Sequence, residues 1–474
     1  MKFRKARGLV AAVVLAVSVG VSPLVTTAVV GGQQNPVAQS KGQLRAGAAR
    51  VDITPPVNPA YPPLNEYEHE KLYLRAIVFE NKGVRGALIG ADLGGIDEPV
   101  WADAAKRVAA ELKTPVENVI ISTTHTHSGQ PAGPPSPTPA PRYGTEFLAK
   151  VALQAVKQAK TKLEPALVGY STGEASLNVN RDVISPDTHK WTQAANLDAP
   201  VDRSVGVLTF YRPNGKPLAT YVNYAMHPVN GYLNGLTSAD FAGATSRYVE
   251  QAFGDDLVAV FTQGASGDVN PRWLRTGTNV LASRSGVPIT GYEMVRETVE
   301  APVRELKVPY GEVAPSVLRQ LFNYLDAVGI VLGEEVIRVM SHTEDKVSDP
   351  AISGRQQLIT CPGRTRLDNA REGVPGQYED GPDVAIRIGA LEIGDIALAT
   401  TNAEIYTTIG LRVKKQSPLS KTMYVTLANG RAASGYIPDD ESYGHQTFQV
   451  LGSRVKPGCA EDGIADGIRQ LVSN

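Results

Sequence analysis

Two histidines separated by one residue, His125 and His127, follow a short apolar segment at 118–122. The β-branched segment predicts a buried strand, and side chains two residues apart on extended backbone point in the same direction. Both imidazoles are therefore expected to project from the strand end, where Ser128 and Gly129 begin a loop. Two such imidazoles can bind one metal ion, or one can bind it while the other transfers protons. The alternative is a loop whose histidines bond to backbone groups or face solvent.

Three further polar groups stand at the ends of predicted apolar strands. His227 precedes a proline that stops its strand, and Glu404 ends the apolar segment that begins at 397. Between them, the glycine-rich turn at 261–271 contains Ser266, whose hydroxyl and neighbouring N–H groups can contact a substrate. Taken singly, His227 fits a core histidine and Glu404 fits a charge at a helix N-terminus. Together with the histidine pair, they predict one site on a rigid scaffold.

The elements that must position these groups alternate between strands and helices. This alternation predicts an α/β fold with mixed sheets flanked by helices, and it leaves the order of the strands open. Strands are expected at 72–79, 86–93, 118–122, 206–211, 217–223, 257–261 and 384–399. Helices are expected at 99–113, 147–163, 241–253, 292–306 and 328–340. A proline-rich loop at 131–142, beside the histidines, is expected to form a pocket rim or a lid.

The N-terminus has the pattern of an export signal. A basic start, an apolar segment at 8–21 and small residues at 26–28 predict a signal peptide over 1–28. An uncleaved anchor is the alternative. A flexible spacer is expected over 29–43, followed by one large catalytic domain over 44–474.

The net charge limits the kinds of binding partner, and the cysteine content limits the possible disulfides. The 47 basic and 48 acidic residues leave a net charge of −1, so nothing predicts a nucleic-acid partner. Cys361 and Cys459 are the only cysteines. Export makes a disulfide between them plausible, but two unbridged thiols would give the same sequence.

Four motifs together resemble a known family. They are Val51–Pro56 (VDITPP), Thr124–Gly129 (THTHSG), Ala225–Pro228 (AMHP) and Gly267–Pro271 (GDVNP). In this order they resemble the catalytic domain of the neutral/alkaline (non-lysosomal) ceramidases, and the resemblance runs from about residue 45 to about residue 450. Members of that family are zinc-dependent amidases that split N-acylsphingosines into sphingosine and fatty acid.

The resemblance implies a role for each matching residue. It implies that zinc is bound by His125, His227, Glu404 and Tyr436. It also implies that His127 handles protons or the substrate oxygen, that Arg181 contacts substrate, and that either Ser266 or Asn270 takes the place of a catalytic serine.

The sequence differs from the family pattern at three points. Asn402-Ala403-Glu404 replaces a Pro-Gly-Glu element, and Phe448 stands where a second tyrosine usually follows. Because the chain ends at Asn474, no C-terminal immunoglobulin-like domain is expected.

These observations predict an exported, secreted or cell-surface zinc-dependent amidohydrolase. Its substrate would be a small amphipathic lipid or another N-acyl amide. Water activated by the metal would attack the amide bond of this substrate. The sequence leaves open whether the protein also makes peripheral contact with a membrane surface. One alternative is a zinc hydrolase of the same fold that acts on a non-lipid amide or ester. Barrel amidohydrolases also use a His-x-His pair, whereas metallo-β-lactamases continue it as HxHxDH, which is absent here. The other alternative is an exported module that binds metal without catalysis.

Overall fold

The computed structural model describes residues 44–56, 71–129, 144–231, 236–273, 314–369 and 372–472. They all belong to one unit of the chain, Lys41–Asn474. The predicted signal peptide, the spacer, the proline-rich loop at 131–142 and the helix at 292–306 lie outside these residues. Within the described ranges, no helix combines the length and the apolar character needed to cross a bilayer.

The first sheet has five strands in the order β4-β3-β2-β1-β5. The strands are β1 (Arg45–Asp52), β2 (Tyr73–Asn81), β3 (Val84–Ala91), β4 (Val119–Thr123) and β5 (Glu164–Pro165). One face packs against α1 (Glu98–Leu112) and α2 (Thr145–Thr161). In β4, Val119 and Ile121 face these helices while Ile120 faces the opposite side, as expected for extended backbone.

The second sheet lies against the opposite face of the first and has the order β11-β10-β9-β6. Its strands are β6 (Leu167–Glu174), β9 (Ser204–Tyr211), β10 (Pro217–Tyr224) and β11 (Val258–Gln263). Its outer face is covered by α3 (Asp240–Ala252) and α4 (Pro315–Ser341). The centre of the molecule is thus a stack of helices, sheet, sheet and helices, with an apolar core between each pair of layers.

A third sheet has the order β13-β14-β15-β17. Its strands are β13 (Ile352–Arg366), β14 (Tyr378–Ile393), β15 (Ile396–Thr401) and β17 (Lys421–Val425). It contributes to the core between the first two sheets, and it packs on α5 (Thr407–Gln416) and α7 (Ala460–Leu471). Cys361 and Cys459 form a disulfide, which connects β13 to the start of α7.

Short elements complete the site region. A small sheet of order β12-β7-β8 consists of β7 (Asn178–Ile184), β8 (Trp191–Asn196) and β12 (Val269–Pro271). A two-stranded pair consists of β16 (Glu404–Ile405) and β18 (Tyr436–Ile437). The short helix α6 spans Phe448–Gly452. Two 3₁₀ turns occur at Val116–Asn118 and Glu441–Gly444.

Parallel strand pairs determine where the site lies. β3 and β4, β10 and β11, and β15 and β17 are the parallel pairs within the three larger sheets. His125 follows β4, His227 follows β10, and Glu404 follows β15. Ligands of α/β proteins commonly bind beyond the carboxyl ends of such strands, and here three of these ends converge.

The mixed α/β class predicted from the sequence is confirmed. The prediction of a helix at 328–340 was wrong about its start, because α4 begins at Pro315 and buries Leu318, Leu321 and Leu325 before that range. Proline is favourable in the first turn of a helix, where its missing N–H has no partner to lose. Strands β1, β7 and β13 were not predicted, because their patterns mix polar and apolar residues.

Candidate metal centre and active site

Three side chains from distant parts of the chain meet at one point. The Nε2 atoms of His125 and His227 lie 3.2 Å apart, and each lies 3.2 Å from Oε2 of Glu404. The three residues are at most 6 % exposed. Three atoms that can each donate a lone pair therefore form an almost equilateral triangle inside the protein.

The far side of each imidazole is fixed by backbone carbonyls. Nδ1 of His125 donates to the carbonyl of Gly94 at 2.5 Å, and Nδ1 of His227 donates to that of Ser266 at 2.7 Å. A proton on each Nδ1 leaves the lone pair of each Nε2 directed toward the triangle. This is the arrangement in which histidines usually bind a metal ion.

The triangle has the dimensions of a zinc site. Ligand atoms bound tetrahedrally at about 2.0–2.1 Å lie about 3.3 Å from one another, close to the observed 3.2 Å edges. Two imidazoles and one carboxylate are also a common donor set of catalytic zinc, which keeps a further position open. By donor type and spacing, His125, His227 and Glu404 therefore fit a divalent metal.

The electrostatics of the triangle are those of a cation site. Burial, together with the nearby Arg181, lowers the pKa of His227 to about 4, so this imidazole is neutral near pH 7. Burial alone would raise the pKa of Glu404, but the two imidazoles hold it well below its usual value. An ionised Glu404 beside a neutral His227 is ready to accept a positive ion.

His127 lies beside the triangle, as predicted, but the backbone that places it there is not the extended strand that the sequence suggested. Its Nε2 lies 3.4 Å from that of His125, and the ligand atoms of His125, His127 and His227 all lie within 4.8 Å of one another. The assumption of extended backbone was wrong, because β4 ends at Thr123 and His125 has a φ of 65°. This left-handed conformation is unusual for a non-glycine residue, and the backbone turn rather than strand alternation brings the rings together.

Tyr436 reaches the triangle through the pairing of β16 with β18. In this parallel pair Tyr436 is opposite Glu404, and its hydroxyl lies 3.5 Å from Nε2 of His227. The hydroxyl also bonds to Glu404 and Arg181, and burial raises the pKa of Tyr436 far above its usual value. Tyr436 and His127 thus each lie close to the position of a fourth ligand.

Arg181, at 3 % exposure, lies behind the tyrosine. Its guanidinium is 5.5 Å from the centre of the Tyr436 ring and 5.2 Å from that of Phe448. It donates to the carbonyl of Gly267 and to Oδ1 of Asn270, the latter at 3.3 Å. Its buried Nε–H has no hydrogen-bond partner among the described residues.

Ser266 contacts the site region with both its side chain and its backbone. Its hydroxyl donates to Oε1 of Gln263 at 3.2 Å, while its carbonyl orients His227. Asn270 is in contact with Arg181. The choice between Ser266 and Asn270 as the equivalent of the family serine stays a prediction.

Phe448, which replaces a tyrosine of the family pattern, packs edge-on against Tyr436. The ring centres are 5.4 Å apart and the planes are 86° apart.

Sequence reasoning missed two buried carboxylates that support the site. Asp268 accepts hydrogen bonds from the N–H and hydroxyl of Thr407 and from Asn180, and its carbonyl accepts from the N–H of Arg181. Burial, with Asp182 nearby, raises the pKa of Asp268 to about 7. Asp268 thereby connects the Arg181 strand to the first turn of α5, which follows Glu404. The GDVNP motif contains this residue, but no local signal shows which groups it contacts.

Asp182 is the second of these carboxylates. It accepts hydrogen bonds from Tyr406, His445, Thr447 and Gln449. These partners are more than 200 residues away along the chain, so only the folded structure identifies them.

A cleft of about 450 Å³ opens beside the triangle. Its lining includes Glu404 and Tyr436, and five of its ten residues are ionisable as Asp, Glu or Arg. They are Asp97, Glu98, Glu404, Arg431 and Arg454. Small-molecule sites are usually lined mainly by apolar groups, so the part of this cleft that the structure describes is unusually polar.

Comparison with known proteins shows similarity to ceramidases in both sequence and fold. The family model described as neutral/alkaline non-lysosomal ceramidase, N-terminal, matches residues 68–283. This segment is a little under half of the chain, and the match supports the resemblance to the neutral/alkaline ceramidases. Among curated ceramidases, it is 32% identical over 170 residues to neutral ceramidase B of Dictyostelium discoideum, which covers 32% of this chain and 24% of that protein. It is 26% identical over 225 residues to the neutral ceramidase of Pseudomonas aeruginosa, covering 43% and 31% of the two chains.

The matched segments thus span about a quarter to a third of these ceramidases. Solved ceramidase structures share the fold over a longer range. A ceramidase described as complexed with C2 aligns with a TM-score of 0.63 and 18% identity, over 91% of this chain and 74% of the other. The neutral ceramidase crystal structure from Pseudomonas aeruginosa aligns with a TM-score of 0.61 and 16% identity, over 91% and 73%.

Proposed function

We propose that this protein is an exported zinc-dependent amidohydrolase that cleaves the amide bond of an N-acyl lipid. The observation that supports this most is the triangle of His125, His227 and Glu404, with all three edges at 3.2 Å. The similarity to the ceramidases supports the reaction type, and the N-terminal signal pattern supports export to the cell surface or beyond.

His125, His227 and Glu404 would hold the zinc, with Tyr436 as a further ligand. When bound, the metal would polarise the scissile carbonyl and lower the pKa of water beside it. The two Nδ1 hydrogen bonds keep both imidazoles oriented for this task, and the hydrogen bond between Tyr436 and Glu404 keeps the phenol in place.

His127 is the proposed proton carrier. Burial and the neighbouring imidazoles lower its pKa well below the usual value, so the ring is neutral and able to accept a proton near pH 7. It would take a proton from the attacking water and release it to the leaving amine. Its position beside His125 gives it the short reach that such a transfer needs.

Arg181 is proposed to bind the substrate oxygen. Its Nε–H is a buried donor without a partner among the described residues, and its other contacts hold the guanidinium in place. A fixed cationic donor can stabilise the negative charge that develops on an amide oxygen during attack. Ser266 would act by orienting His227, with Asn270 holding Arg181.

A single set of measurements tests the proposal. The purified protein should contain zinc by mass spectrometry and should hydrolyse a short-chain N-acyl lipid, with activity removed by a chelator and restored by zinc. His227→Ala should lose both bound zinc and activity, whereas His127→Gln should keep the zinc and lose activity. Full activity and full zinc content in His227→Ala would contradict the proposal.

One observation favours a second candidate, a zinc hydrolase of the same fold that acts on a non-lipid amide or ester. Half of the residues that line the described cleft are Asp, Glu or Arg, which suits a polar substrate better than a hydrocarbon chain. Comparing rates for N-acetyl and N-lauroyl versions of one amine separates the two candidates, because a lipid hydrolase should prefer the long chain.

A further inference from the structure

We propose that the cleft beside the metal centre contains a subsite for an anionic group of the substrate, formed by Arg431 with help from Arg454. This inference deepens the proposed function and rests on it, because it concerns the substrate that the metal centre would cleave. The ligand class is an N-acyl compound that has a carboxylate, or a similar anion, a few bonds from the scissile amide.

The first argument is the balance of charge in the cleft. Glu98 is paired with Arg387 at 2.6 Å, and Glu404 belongs to the metal triangle. The remaining charged side chains of the lining are Asp97, Arg431 and Arg454. A bound divalent metal and the buried Arg181 would make the region more positive still, and such a field attracts anions.

The second argument is that Arg431 has no counterion within the protein as described. No carboxylate of the described residues lies within ion-pair distance of its guanidinium, although the side chain is partly buried. Arg387, in the same region, donates to Glu98 and to the carbonyl of Asn429. A guanidinium presents five donors to an anion, and no ion pair with a described residue occupies those of Arg431.

The third argument is that the backbone holds Arg431 firmly at this place. Leu427, Asn429 and Gly430 have φ values of 51°, 61° and 98°, so three left-handed residues shape the loop just before Arg431. Non-glycine residues adopt this conformation at a cost in free energy, and such conformations cluster at functional sites.

Hydrogen bonds attach this loop to the strands that deliver the metal ligands. The side-chain oxygen of Asn429 accepts from the N–H of Ile121 at 2.9 Å, and the N–H of Asn429 donates to the carbonyl of Ile121 at 2.8 Å. The N–H of Ala432 donates to the carbonyl of Asn402, and the N–H of Glu404 donates to that of Gly435. Arg431 is therefore built into the same framework as His125 and Glu404.

The fourth argument is the gap between Arg431 and the metal ligands. A Cβ atom at Gly435 would lie 3.6 Å from Nη2 of Arg431 and 4.0 Å from Oε1 of Glu404. The absence of a side chain at Gly435 leaves this position open. An anion placed beside the guanidinium would lie a short distance from a carbonyl held at the metal centre.

Arg454 lines the same cleft and is exposed. Its N–H donates to the hydroxyl of Ser434 at 3.0 Å, which connects its backbone to the segment that precedes Tyr436. Its side chain would add attraction at longer range, with a smaller effect than Arg431 because solvent screens an exposed charge.

Matched substrates test the subsite, each used below its critical micelle concentration. N-lauroyl-glycine and N-lauroyl-ethanolamine differ in a carboxylate on the amine half, whereas N-dodecylsuccinamic acid and N-dodecylbutanamide differ in a carboxylate on the acyl half. The variants are Arg431→Gln, Arg454→Gln and, as control, Arg469→Gln on α7, which removes an equal charge from a residue that does not line the cleft.

We expect Arg431→Gln to lower kcat/KM for one of the charged substrates by about tenfold to a hundredfold, as for the loss of charged hydrogen bonds. The rate for its neutral partner should change by less than about twofold, Arg454→Gln should act in the same direction more weakly, and Arg469→Gln should have no effect. The affected pair shows which half of the substrate contains the anion. Equal losses for charged and neutral substrates, or no loss for either charged substrate, would overturn the inference.

If the wild type hydrolyses none of the four compounds, the proposed function fails. Measurements of binding affinity then test separately whether the anion subsite exists. Calorimetric titration of the zinc-loaded wild type and of Arg431→Gln with both charged compounds measures this directly. Weaker binding of either charged compound to the variant supports the subsite, and equal Kd values for both overturn it.

Discussion

Two buried clusters of charged side chains differ in how their charges are balanced. In the first, Arg75 pairs with Glu250 at 2.9 Å and with Asp92 at 3.1 Å, and Arg50 adds a second cation to Glu250. In the second, His125, His227 and Glu404 direct lone pairs toward one point. The first cluster contains its own cations, whereas the second fits a cation from outside the chain.

The difference separates a structural cluster from a functional one. Burying an unpaired charge is costly, so folded proteins pair such charges internally or bind an ion. Arg75, Glu250 and Asp92 are 3 %, 0 % and 1 % exposed, and their pairing connects β2, α3 and the end of β3. The triangle is buried to a similar degree, so burial alone does not distinguish the two clusters; the direction of the lone pairs does.

Removing Glu250 should have the largest effect on stability. Glu250→Ala leaves Arg75 buried with only Asp92 as a partner, and breaking a buried pair costs about 3–5 kcal/mol. Chemical denaturation should show this loss in the free energy of unfolding, while the zinc content of the folded fraction stays at the wild-type level. Loss of zinc without loss of stability would reverse the roles assigned to the two clusters.

An exposed pair provides the control for that experiment. Arg107 bonds to Asp103 and Glu146 on the surface, where water already solvates both charges. Arg107→Gln should leave the denaturation midpoint unchanged. A shift as large as that of Glu250→Ala would show that burial is not the cause of the difference.

Gly267 tests whether close packing holds the triangle together. A Cβ atom there would lie 2.9 Å from the carbonyl oxygens of Glu404 and Ile405, and these backbone atoms cannot move without displacing β16. Gly267→Ala should lower the free energy of unfolding by about 1–3 kcal/mol and weaken zinc binding. Gly444→Ala, where no atom lies within 4 Å of the added Cβ, is the matched control. Unchanged zinc affinity in Gly267→Ala would show that the position of Glu404 does not depend on this contact.

Asp268 differs from both clusters, because its hydrogen bonds are satisfied but no cation among the described residues pairs with it. Burial raises its pKa in the folded state from an ordinary 3.8 to about 7. The folded state therefore retains a proton that the unfolded state releases. Its contribution to stability is complete below pH 3.8 and is lost as the pH rises through about 7.

The free energy of unfolding of the wild type should thus fall, relative to that of Asp268→Asn, by up to about 1.4 kcal/mol per pH unit between about pH 4 and pH 7. Denaturation of both proteins across this range measures the difference. Parallel pH profiles would mean that Asp268 is ionised throughout.

The sequence was a good guide to which residues form the site, but a poor guide to the backbone arrangement that brings them together. His125, His227 and Glu404 each stand where an apolar strand gives way to polar residues, and the family resemblance added Tyr436 and Arg181. The convergence of these strand ends depends on the order of strands in three sheets, which local patterns do not encode.

The supporting contacts could not be predicted from local sequence patterns either. The left-handed backbone at His125, the hydrogen bonds of Asp182 and the position of Arg431 all depend on contacts between distant segments. The turn before Arg431 contains Asn429-Gly430, a common turn signal, but nothing near it indicates proximity to Glu404. The start of α4 was missed because the helix was predicted only where its pattern is most clearly apolar.

X-ray absorption spectroscopy at the zinc edge tests the central claim most directly. The zinc-loaded protein should show only nitrogen and oxygen neighbours at about 2.0–2.1 Å, with the outer-shell scattering of two imidazoles. His227→Ala should lose one imidazole or the metal itself. A spectrum with sulfur ligands, or one that is unchanged in His227→Ala, would contradict the assignment of His125, His227 and Glu404 as the metal site.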